Sequence, residues 1–226
     1  MKTNNRYVSL GITIVALAVP VSVLAWEEHG EDEGVTVHTR PVEGSDVPAV
    51  RATGVIDAET ETVWEYITGP EVRVKGLRQK VVLGKCNSSC EYIYMRLGHP
   101  LITDRHYVVK VDTHTEPRGE AIQYTRKWAH TDARALLDND AMTVSKIRGS
   151  WKLEPIDGGS KTRLIYTNHI DMGGNLTGYF FRRGFISKAY ELIQELREGA
   201  TEARADRRDE IEPIARRLTS PSSHAR

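Results

Sequence analysis

The chain has 226 residues, with 31 Lys and Arg against 31 Asp and Glu, 39% hydrophobic and 27% charged. That balance excludes a chain disordered throughout, and it provides no basic stripe of the kind nucleic-acid binding requires. A membrane-length apolar run occurs only at the N-terminus, which excludes a multi-spanning protein and leaves enough chain for one ordinary domain.

Residues 1–25 read as an export signal. Lys2 and Arg6 precede the uncharged 19-residue run Tyr7–Ala25, which closes on Val23-Leu24-Ala25. A cationic head, an apolar middle and a small residue before the cut are what a signal peptidase reads. Cleavage leaves Trp26 first and a net charge of −2, from 29 basic and 31 acidic residues. The rest of the chain is then periplasmic or secreted. The alternative is an uncleaved single anchor, since 19 apolar residues just span a bilayer.

Residues 26–33 are an acidic lead-in without apolar periodicity, expected to be mobile. A first strand follows over 34–40, a turn at Pro41 and Gly44-Ser45-Asp46, and a second strand over 50–56. Asp57 is placed to cap a short helix ending near Thr68, with Val63, Trp64 and Ile67 on its apolar face. Gly69-Pro70 stops it.

Six further strands are expected over 77–84, 91–97, 105–114, 121–130, 143–154 and 161–171, each bounded by turn residues. With no helical pattern between them they form an antiparallel meander. The two cysteines, Cys86 and Cys90, flank Asn87-Ser88-Ser89 between two of these strands. In an oxidising compartment they read as a disulfide at a hairpin tip; free thiols or a metal site are the alternatives. After Gly173-Gly174, a long helix carries Leu176, Tyr179, Phe180, Ile186, Ala189, Leu192, Ile193, Leu196, Ala200 and Ala203 on one stripe. The folded domain is expected to span 34–205, and 206–226 is a polar C-terminal tail. The expected fold is α+β: a curved antiparallel sheet of about seven or eight strands wrapped around a long C-terminal helix, with a gap between them for an apolar ligand.

No nucleophile elbow, phosphate loop, His-Glu-x-x-His or dinucleotide-binding motif is present. The eight His residues are scattered. No catalytic residue, cofactor or metal is assigned.

Several stretches together resemble one family. Gly34-Val35-Thr36-Val37, the segment Gly44–Ile56, Asp104-Arg105-His106-Tyr107-Val108-Val109, Gly149–Pro155 with Thr162–Tyr166, and Asp171-Met172-Gly173-Gly174 are similar, in order, to motifs of START lipid-binding domains. His106 stands where an acid is usual, and the loop after the early helix is shorter and more polar than is usual. The resemblance covers about residues 34–200. It implies the helix-grip fold of the START/polyketide-cyclase superfamily and a tunnel holding one lipid, sterol or similar molecule.

Strand alternation puts Tyr124, Arg126 and Trp128 on one face, where a guanidinium between aromatics suits a polar head group. Tyr94 and Arg96 form a similar pair. Arg105 and Tyr107 of the family-like strand, Tyr166 and Asn168 of the late strand, and Phe180 of the helix complete the candidate ligand-binding set. Arg105 is equally suited to a structural salt bridge.

The function expected is non-enzymatic binding and transfer or sensing of a hydrophobic molecule by a monomer, with transient membrane contact through Tyr179-Phe180-Phe181-Arg182-Arg183 and no nucleic-acid partner. The alternatives are a polyketide cyclase or aromatase using the same cavity, and a scaffold whose cavity has collapsed.

Overall fold

The computed structural model describes residues 25–69, 76–99, 102–132, 140–173, 184, 186–203 and 205, excepting the side chains of His99 and Ile102. All but Ala25 of the expected signal over 1–25, the start of the long helix with Phe180, and the tail over 206–226 lie outside the described residues.

Among the described residues ten strands form one sheet. They are β1 (Glu27–Asp32), β2 (Val35–Val42), β3 (Ser45–Ile56), β4 (Leu77–Asn87), β5 (Cys90–His99), β6 (Ile102–Arg118), β7 (Ala121–His130), β8 (Met142–Thr143), β9 (Lys146–Ile156) and β10 (Lys161–Asp171). Their order is β1-β2-β3-β10-β9-β7-β6-β5-β4, antiparallel along that path, with β8 parallel to β6. The expected seven or eight strands are therefore ten. One addition is β1: the acidic lead-in expected to be mobile pairs with β2 from Glu27 to Asp32. The other is β8, which splits off the start of the expected 143–154 strand. Val144 N donates to His106 O at 2.9 Å, so the chain first follows β6 and then crosses to β9.

Local chemistry sets the turns. Pro41, which has no N–H to donate, sits at the β2 irregularity between Arg40 and Val42. At the β4–β5 tip, Asn87 Oδ1 accepts from Ser89 N at 2.8 Å and Ser89 Oγ at 3.1 Å, an Asx turn. Cys86 and Cys90 are disulfide-bonded there, with Cα atoms 5.2 Å apart.

Helix α1 (Thr60–Thr68) begins after Glu59 rather than Asp57, and Glu59 makes no side-chain cap bond. It ends where Gly69 N donates to Glu65 O. Helix α2, described over 186–203, lays Ala189, Ile193, Leu196 and Ala200 against Val35, Val37, Val50, Ala52, Ile56, Leu153 and Leu164 of the sheet and Val63 of α1. Full burial of each large side chain contributes about 1.5–3 kcal/mol. Gly54 permits the approach: a Cβ there would lie 2.7 Å from Ile193 Cγ2. Arg197 ties α2 to the sheet, donating from Nε to Val55 O at 3.1 Å and from Nη1 to Glu33 O at 2.9 Å.

The corner after β10 is held by Asp171. Its carboxylate accepts from Ser45 Oγ at 2.6 Å and from Gly173 N at 3.0 Å, and Gly173 takes the positive φ of +67° that glycine adopts without strain.

Candidate functional site

Directly paired residues in an antiparallel ladder point to the same face, so register decides which side chains look toward α2. Starting from Ala52 and Val50, which α2 covers, the pairs Ala52–Tyr166, Tyr166–Trp151 and Trp151–Arg126 run across four strands. A parallel row runs Val50–Asn168, Asn168–Gly149, Gly149–Trp128, Trp128–Val111 and Val111–Glu91. Tyr107 joins this inner face further along β6, beside Met95.

The structure therefore brings together Tyr107, Tyr124, Arg126, Trp128, Tyr166 and Asn168. Trp151 joins Trp128 and Tyr166 in one aromatic panel, with ring centroids 6.3, 6.2 and 4.4 Å apart. The panel is only half-buried. It lies between the α2-covered core and a second cluster of Ile93, Tyr107, Val109, Val111, Val144, Ile147 and Ile170. Gly149 makes room for it, since a Cβ there would overlap the Trp128 ring.

Polar groups punctuate the panel. Asn168 Oδ1 is buried without a hydrogen-bond partner, an arrangement that costs roughly 1–3 kcal/mol unless a donor arrives. Burial pushes the Tyr166 phenol well above its ordinary value, and the neighbouring Tyr107 adds to the rise. Tyr107 is likewise pushed up by burial, and its hydroxyl donates to Met95 Sδ at 3.5 Å. Both phenols stay protonated and serve as hydrogen-bonding groups.

Arg126 lies inward as expected, but it is not sandwiched between its strand neighbours. Tyr124 stacks on Trp64 of α1 at 4.9 Å, and the Arg126 guanidinium sits 6.0 Å from that same Trp64 ring. Arg126 Nη2 donates to Glu91 Oε1 at 2.5 Å. Sequence alternation missed Glu91, because only the register of three strands brings it opposite the arginine.

Two candidates are placed on the other face. Tyr94 pairs with Val108 and Arg96 with His106, so both occupy the outer face. There Tyr94 meets the His106 ring edge-on at 5.9 Å, and Arg96 Nε donates to Asp104 Oδ2 at 2.7 Å. Alternation along a strand defines two faces without saying which is inner. Arg105 is buried, and it donates to Met172 O at 2.9 Å and to Thr103 O. It shares the inner-face parity of Tyr107 and, among the described residues, holds the corner after β10 through these backbone carbonyls.

With this geometry in hand, comparison with known proteins gives the class. The fold is that of START domains. Human STARD10 superposes with a TM-score of 0.68 at 13% identity, covering 87% of this chain and 82% of its own. Human StAR-related lipid transfer protein 5 gives 0.65 at 17%, covering 78% and 86%. A STAR-related lipid transfer protein from Xanthomonas axonopodis gives 0.64 at 19%, covering 78% and 98%. At the sequence level the chain is 24% identical over 201 residues to the uncharacterized protein PA1579 of Pseudomonas aeruginosa, covering 84% of this chain and 96% of that one. No family model matches.

Proposed function

We propose that this protein is a non-catalytic carrier or sensor of one hydrophobic molecule, a lipid, sterol or similar compound, held between the inner face of the sheet and the C-terminal helix. The observation that carries this reading is the half-buried Trp128–Trp151–Tyr166 panel, set between two closed clusters on the face that α2 packs against, with an unpaired Asn168 oxygen at its edge. Burial of apolar ligand surface supplies about 25 cal/mol per Å². Asn168, Tyr166 and the Arg126–Glu91 pair orient the polar end. The START-type fold supports the reading, since two of the similar structures, human StAR-related lipid transfer protein 5 and the Xanthomonas axonopodis protein, are named as lipid transfer proteins.

We further read residues 1–25 as an export signal and the functional protein as a periplasmic or secreted monomer. Tyr179-Phe180-Phe181-Arg182-Arg183 is its candidate for transient membrane contact, with aromatics at the interface and arginines on anionic lipid.

A vesicle assay tests the reading. Donor vesicles carry a fluorescent sterol or a fluorescent phospholipid, and acceptors carry none. The protein is expected to accelerate transfer of at least one probe, and Trp128→Ala to slow that transfer several-fold. Failure to bind or move either probe, with no lipid extractable from the purified protein, contradicts it.

A further inference from the structure

The outer face of the sheet carries a second cluster, unrelated to the inner cavity. Trp26 directly precedes β1, and the guanidinium groups of Arg40 and Arg51 sit 4.6 and 4.7 Å from its ring centre. His38 pairs in register with Arg51 and is two residues from Arg40 on β2, so the three side chains share the outer face. Among the described residues neither guanidinium has a carboxylate within the 4.0 Å of an ion pair. The buried Nδ1 of His38 has no hydrogen-bond partner. Glu28 faces His38 across the β1–β2 ladder but forms an ion pair with neither arginine.

Two guanidinium groups gathered on one indole repel each other. The ring's π face offsets part of that cost but supplies no counter-charge. Around them are donors in excess: two planar forks of N–H groups and an imidazole nitrogen. A phosphate group presents two or three terminal oxygens in a tetrahedral spread, and arginine forks match phosphate oxygens in bidentate fashion.

We propose that Trp26, His38, Arg40 and Arg51 form a binding site for a phosphate monoester or diester group. The group can come from a lipid head group or from a soluble phosphate. Tryptophan favours the head-group level of a bilayer, so an anionic lipid surface is the source this cluster fits.

The test uses the mature chain beginning at Trp26, with Lys161→Gln as a control for general charge. Binding is measured to phosphatidylcholine vesicles with and without phosphatidylglycerol, and to inorganic phosphate by titration calorimetry. The affinity gained on adding phosphatidylglycerol is expected to fall at least tenfold in the Arg40→Gln/Arg51→Gln double variant and to persist in the control. If phosphatidylglycerol adds nothing but inorganic phosphate binds saturably to wild type and not to the double variant, the site stands and its ligand is soluble. Arg51→Lys, which keeps the charge but loses the fork, is expected to give a several-fold loss and guards against misfolding of the double variant. Equal responses of wild type, Arg51→Lys and double variant to both probes overturn the proposal.

Discussion

The inner face of the sheet has two regions built on different principles. Where β2, β3 and the first half of β10 meet α1 and α2, the buried side chains are mostly aliphatic, and the polar ones are small: Thr60 and Thr62 of α1, and Thr162, whose hydroxyl donates to Ala58 O at 2.7 Å. One ladder step away, the panel of Trp128, Trp151 and Tyr166 is half-buried and adjoins Asn168 and the Arg126–Glu91 pair. The first region holds the helix to the sheet. The second keeps polar groups that a purely stabilising core would have exchanged for aliphatic ones. On the function proposed above, stability and ligand recognition are separated along a single sheet face.

Substitutions should respect that division. The largest effect is expected from Ile193→Ala or Leu196→Ala in the aliphatic region, a loss of about 2–5 kcal/mol by denaturant unfolding. A change below 1 kcal/mol would mean α2 is not seated as described.

Asn168→Leu is the sharpest contrast. Removing an unpaired buried acceptor is expected to leave the unfolding free energy unchanged or raised, by up to about 1–3 kcal/mol, while reducing co-purified or bound lipid. Destabilisation of similar size to Ile193→Ala would erase the distinction between the two regions.

Reduction of Cys86–Cys90 is expected to cost about 2 kcal/mol at most, as suits a short loop, and to leave ligand binding intact, because the bridge sits at the β4–β5 tip. Lost binding in reducing buffer would tie the tip to the cavity.

The smallest effect is expected from pH. His169 is held below its ordinary value of about 6.5, first by burial and then by Arg148. Asp171 is held below the usual carboxylate range, first by the Ser45 hydrogen bond. Both lowered values act in the same direction. The unfolded His169 takes up a proton first as pH falls below about 6.5, and the stabilisation from Asp171 is lost as pH falls through its folded value. Melting temperature should therefore decline modestly from pH 7.5 to 5, and less so in His169→Gln. A rise on acidification would contradict the sign.

Most of the sheet was legible because its strands alternate and their turns carry Gly, Pro and Asn. The exceptions have physical reasons. Strand β1 is an exposed edge held by backbone pairing, so its acidic side chains show no apolar alternation. The gap between β8 and β9 depends on one non-local hydrogen bond, from Val144 to His106. At the candidate site, alternation groups Tyr124, Arg126 and Trp128, and the register turns them with Tyr166 and Asn168 toward the face that α2 covers. Tyr94 and Arg96 lie on the other face, which burial does not distinguish, since the outer face near β6 is itself buried: Tyr94 is only 3% exposed and His106 4%. Glu91 and Gly149 were invisible, because a partner and a vacated Cβ are properties of register rather than of any local pattern.

Native mass spectrometry of the protein from its own host, followed by organic extraction of any adduct, tests the central claim most directly. The account predicts one hydrophobic molecule bound per chain, lost or reduced in Trp128→Ala and Asn168→Leu but retained when the disulfide is reduced. An unliganded mass that persists after incubation with mixed membrane lipids would contradict it.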